Sequence, residues 1–150
     1  MAIENVNSDL YRDALSLEAV PETRKSTGRI FTATGTVTHD AAASAGSTYK
    51  LAQIPSYAIL HWDTIFEAGN WNFTDMRIGT LTDNTALVSA LVSAGNQSPI
   101  AKLDANHGKA LWEVLGLASD PNGMITLYAH AIGAASAAGS MKFVIPWIDN

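Results

Sequence analysis

The sequence predicts an all-β domain, a β-sandwich or barrel with one or two short helices. Three observations predict it. Short runs of β-branched and aromatic residues recur along the chain with turn signals between them. Residues 28–38 alternate, with Phe31, Ala33, Gly35 and Val37 on one side and Thr32, Thr34, Thr36 and Thr38 on the other. Threonine keeps β-propensity while showing water a hydroxyl, so this run reads as a strand with one buried and one wet face. Residues 47–62 read as a strand, a corner at Pro55 and a second strand, because proline has no N–H to give a central ladder.

Taken in order, residues 1–27 differ from the rest. Arg12, Arg24 and Lys25 are interspersed with Glu4, Asp9, Asp13, Glu18 and Glu22, and Leu10, Leu15 and Leu17 are the main apolar residues. A short helix over 9–17, capped by Ser8 or Asp9, fits this pattern. The segment reads as a poorly ordered tail or as an arm that orders on a neighbouring subunit. Its candidate contact residues are Leu10, Tyr11, Arg12, Arg24 and Lys25, with Arg29 at its junction to the domain of residues 28–150.

The expected strands are 29–38, 48–54, 57–62, 72–81, 124–131 and 141–148. Residues 40–46 and 133–140 are loops of small residues, and 63–70 read as a turn. Over 86–94, Leu87, Val88, Leu91 and Val92 have helical spacing, so a helix competes with a strand. Residues 109–117 are the best helix candidate: Leu111, Trp112 and Leu115 share a face, and Gly116 stands where a helix would end. Asp120, Pro121, Asn122 and Gly123 form a strong turn signal. Residues 42–55 and 134–146 echo one another, each a small-residue loop, a lysine-bearing strand and a closing proline. The echo suggests two equivalent hairpin positions in one sheet.

Composition narrows the function. The 150 residues suffice for one domain with a sizeable core. Only 15% are charged, against roughly 25% in ordinary soluble domains. Such a chain covers itself with Ala, Ser, Thr, Asn and Gly, or hides surface against partners. The net charge of -5 argues against nucleic-acid binding. With no cysteine, disulfides, thiolate metal sites and a cysteine nucleophile are excluded. No signal peptide and no membrane-spanning run is read, so the expectation is a soluble protein made in the cytoplasm.

No constellation specifies an enzyme. His61 and Asp63 could face one way on a strand, but no third ligand lies near in sequence. His39 closes a strand, His107 sits in a polar loop and His130 alternates with Tyr128. There is no nucleophile elbow, phosphate loop or zinc-protease motif. Glu113 beside Trp112 and Leu115 reads as the exposed face of a helix. The four tryptophans, Trp62, Trp71, Trp112 and Trp147, read as core or interface anchors. Two or three of them exposed on one face would instead suit sugar stacking. No catalytic, metal or cofactor-binding residue is assigned, and no cofactor is expected.

Gly35-Thr36-Val37, Ser47 to Leu51, Ile54-Pro55-Ser56, Met76-Arg77-Ile78-Gly79, and Leu111 to Leu117 followed by Asp120-Pro121 are together similar to tailed-bacteriophage head decoration, or cementing, proteins. The resemblance spans roughly residues 28–148 and is most specific at 111–121. It implies a jelly-roll-like sandwich that binds the exterior of an assembled capsid. The implied partners are the major capsid protein and further copies of the chain, as a homodimer or homotrimer, with no nucleic acid and no membrane. The alternative is a receptor- or carbohydrate-binding module of a phage fibre or spike.

Overall fold

The computed structural model describes residues 29–149. Two antiparallel sheets face each other. The first contains β1 (Arg29–His39), β8 (Gly139–Asp149), β3 (Ile59–Leu60) and β4 (Ile65–Phe66), with β8 flanked by β1 on one side and by β3 and β4 on the other. The second runs β2 (Thr48–Pro55), β7 (Met124–His130), β5 (Asp75–Gly79), β6 (Val88–Leu91). A bridge between Phe66 and Gln97 adds the rudiment of one more strand beyond β4. With that rudiment counted as a strand between β6 and β7, every connection except the β5–β6 hairpin and the β3–β4 continuation crosses between sheets. That strand order is a jelly roll.

The core lies between the sheets. Ile54, Phe66, Trp71, Met76, Ile78, Leu127, Met141 and Ile145 are fully buried. The alternation read over 28–38 holds from Thr32 to Thr38: the threonines are exposed, while Ala33, Gly35 and Val37 are half-buried. Phe31 departs from it. It points to the inner face, yet lies where the sandwich opens, and stacks on Trp147 at 6.0 Å.

Two departures have one cause. The strand expected over 57–62 shortens to Ile59–Leu60, and the turn expected over 63–70 contains a strand whose Phe66 is fully buried. β3 and β4 are one strand broken opposite Pro146. The His61 N–H donates to Pro146 O at 2.9 Å and the Glu67 N–H to Lys142 O at 2.9 Å. Even-numbered residues of β8 therefore face the β3–β4 edge, where Pro146 has no N–H to offer. At that point the chain closes a turn on itself. The Thr64 N–H and hydroxyl both donate to His61 O, at 3.0 and 2.8 Å.

The segment 86–94 resolves into β6 and a 3₁₀ turn, Val92–Ala94. Pairing with β5, Ile78 opposite Val88 and Met76 opposite Ala90, outweighs the helical spacing. Leu91, which a helix would have buried, is exposed. The expected strand 72–81 contracts to Asp75–Gly79. The helix expected over 109–117 contracts to α1 (Leu111–Val114). The Glu113 carboxylate accepts the Ala110 N–H at its start, at 2.9 Å. At its end Gly116 adopts φ 69°, and the Leu117 and Gly116 N–H groups bond Trp112 O and Glu113 O, a Schellman closure. The echoed segments lie in different sheets, which corrects the one-sheet reading. β2 edges the second sheet and β8 is central in the first.

Candidate functional site

Of the six candidate contact residues, Arg29 is described. It is exposed at the start of β1, opposite Asp149 in the β1–β8 register. Leu10, Tyr11, Arg12, Arg24 and Lys25 lie outside the described residues.

The histidines stay apart, each tied to its own element. His39 is buried among Tyr49, Trp71 and Phe73. Its Nε2–H donates to Trp71 O at 2.8 Å, with Nδ1 3.1 Å from Asp40 O. His130 bonds Thr80 O at 2.9 Å. His61 accepts the Asp63 N–H at Nδ1, 3.3 Å away, and the Asp63 carboxylate lies 3.4 Å from the same nitrogen. The His61 ring packs tilted against Trp62, their centroids 3.9 Å apart, and Lys102 Nζ sits 5.2 Å from the Trp62 ring centroid. Among the described residues no three His, Asp or Glu converge as metal ligands.

The loop between α1 and β7 is clamped to the β2–β3 connection through Ser56, which is fully buried. Its hydroxyl donates to Asp120 Oδ1 at 2.5 Å, and its N–H and C=O bond Gly123 O and the Trp112 N–H. The turn signal at 120–123 is thus a structural lock.

Of the tryptophans, Trp71 is fully buried, and Trp62, Trp112 and Trp147 pack half-buried against the core. What the surface exposes is mostly aliphatic. Ile30 (60% exposed), Phe31, Tyr57 and Met124 (57%) lie at one end of the sandwich, where β1 begins, β8 ends and Pro55 pairs with Met124. Leu103, in the loop that carries Lys102, is 85% exposed. Ile30, Phe31 and Met124 share an end rather than a face: Ile30 stands on the outer face of the first sheet, Met124 on that of the second, and Phe31 points inward. On the outer face of the first sheet, Ile65, Glu67, Asn96, Lys142 and Val144 line an open depression of about 140 Å³. That is smaller than the roughly 300 Å³ at which ligand pockets begin. Sequence reading missed this apolar end, because its members are far apart in the chain and only the register collects them.

Two exposed loops depend on ionised aspartates. The Thr85 N–H and hydroxyl donate to Asp83, and the N–H groups of Ala101 and Asn106 donate to Asp104. Chiefly through the Thr85 N–H for Asp83 and the Ala101 N–H for Asp104, both carboxyls are held below the ordinary value of 3.8. A folded value below the unfolded one means stability present above the unfolded value and lost as pH falls through the folded one. Amide exchange at Thr85, Ala101 and Asn106 is therefore expected to accelerate, relative to Leu127, as pH falls below the ordinary value of 3.8. In Asp83→Asn the Thr85 dependence should vanish. A flat profile in the parent would mean that these bonds contribute nothing.

The architecture defines a class of fold, a jelly-roll β-sandwich. Within that class, a chain in the cyanophage Pam1 capsid asymmetric unit is similar in fold, with a TM-score of 0.57 and 14% identity over 99% of this chain and 100% of that one. At such identity the likeness is one of fold. No protein-family profile and no curated protein matches the chain.

Proposed function

We propose that this protein is a virion structural protein, a cement subunit that binds the outside of an assembled phage capsid and bridges neighbouring major capsid subunits, working by contact and not by catalysis. The observation that carries this reading is the full-length jelly-roll likeness to a chain of a cyanophage capsid asymmetric unit. The low charge content and the apolar end formed by Ile30, Phe31, Tyr57 and Met124 support it, since both suit a surface that becomes covered. A subunit that binds only the assembled lattice stabilises it by mass action, and many copies add through avidity.

The test is co-sedimentation with capsids assembled from the cognate major capsid protein. Saturable binding and a raised capsid melting temperature are expected. Removing residues 1–27 should leave the circular dichroism and melting of the free protein unchanged while weakening capsid binding. Failure to co-sediment, together with binding on a glycan array, would replace this reading with the carbohydrate-binding alternative.

A further inference from the structure

The two strands on one flank of the sandwich treat their outer edges differently. β2 carries Lys50, a bulge between Lys50 and Ala52, and a terminal proline, Pro55. All three are devices that stop a foreign strand from pairing. β6, at the opposite edge of the same sheet, spans only Val88–Leu91. β1 has none of these protections. It runs straight from Arg29 to His39 with β8 on one side, and among the described residues no strand pairs with its other side. Between Ile30 and Thr38 it has no charge, no proline and no bulge.

The direction of its free backbone groups follows from β8. Even-numbered residues of β8 bond toward β3 and β4, as Pro146 and Lys142 show. Met141, Phe143, Ile145 and Trp147 therefore exchange bonds with Val37, Gly35, Ala33 and Phe31 of β1. Ile30, Thr32, Thr34, Thr36 and Thr38 are left with N–H and C=O groups pointing to the open edge. Their side chains are all exposed.

We infer that this edge is a dimer interface, on which β1 of a second copy of the chain pairs antiparallel about a two-fold axis near Thr34, joining the first sheets of two subunits into one. The occupant follows from the pattern of the strand. A two-fold pairing sets even residues against even residues, so threonine meets threonine, a favourable cross-strand pair. With the axis at Thr34, Thr32 faces Thr36 of the partner subunit, and exposed Phe31 meets Val37 of the partner subunit. Arg29 meets the partner's His39, and no carboxylate or second fixed cation lies opposite. A strand without charge is self-complementary over its whole length, whereas β2 carries Lys50 and a bulge and β6 spans only Val88–Leu91. The inference goes beyond the capsid reading and does not depend on it, because the contact needs no lattice.

The test is the mass of the full chain by sedimentation equilibrium across a range of concentrations, without capsid. A reversible dimer is expected, with concentration-dependent amide protection at the even-numbered residues from Ile30 to Thr38. The double variant Thr34→Lys with Thr36→Lys places cations opposite one another at the proposed axis, and again if the pairing shifts one step toward His39. It should weaken the dimer at least tenfold while the melting curve of the monomer is retained. Ser89→Lys, on the exposed edge strand of the other sheet, should leave the dimer unchanged. A monomer at all concentrations, a trimer, or a dimer indifferent to the lysine pair would overturn the inference. So would protection of β1 only when capsid is added, which would assign the edge to the capsid protein. Loss of cement activity with an intact dimer would instead overturn the functional reading alone.

Discussion

Alanine at Gly79 is expected to destabilise the fold by about 3 kcal/mol or more. Gly79 is buried at the end of β5, where the chain turns back toward β6. A Cβ there would collide with the carbonyl oxygen of Asp83 and come within 3.0 Å of Asn84 C and 3.1 Å of Ala86 N. These are backbone atoms of the β5–β6 connection, so no rotamer change relieves the contact. The connection is itself held, by the Thr80 N–H to Asp83 O at 2.8 Å and by the Leu87 N–H to Ile78 O at 3.0 Å. Gly69 is the control. Nothing lies within 4 Å of a Cβ built on it, and alanine there should shift stability by no more than about 0.5 kcal/mol. Urea unfolding of both variants decides the matter. Equal midpoints would mean that the connection yields and that Gly79 is dispensable.

The second large effect is expected at Trp71. Its indole is fully buried, with ring centroids of Phe73, His39 and Tyr49 at 5.1, 5.2 and 5.5 Å. Its carbonyl also receives the His39 ring, so it ties the end of β1 to the loop before β5. Trp71→Ala should cost about 3–5 kcal/mol, the transfer term plus the cavity left among rigid rings. Trp71→Phe should cost less, roughly 1–2 kcal/mol, because most of the ring contact survives. It also removes the indole N–H, a buried donor with no hydrogen-bond partner among the described residues. The order of the two variants is the informative result. If phenylalanine were as damaging as alanine, the indole N–H would have to be bonded to something further, such as a buried water.

The features read correctly from sequence have local causes. Gly116 ends its helix because a left-handed residue is needed there, and Asp120 to Gly123 turns because of its own side-chain and backbone preferences. The threonine alternation of β1 is likewise internal to its strand. The features misread involve a second segment. The break between β3 and β4 is set by Pro146, in a strand near the far end of the chain. The strand at 88–91 is set by β5, against a spacing that favours a helix. The echoed lysine-bearing strands separate into different sheets because sheet membership depends on which connections cross the sandwich.

The exposed features divide in the same way. The all-β class, the positions of most strands and turns, and the charge-poor, cysteine-free character of the chain are all legible in the residues alone. Those are properties of composition and of neighbours within a few residues. Assembly of the sheets is what brings Ile30, Phe31, Tyr57 and Met124 to one end and, among the described residues, makes β1 an edge and β8 central. An exposed strand edge is a property of pairing. Backbone N–H and C=O groups are the same in every strand, so which of them lack a partner is settled only when the sheets assemble.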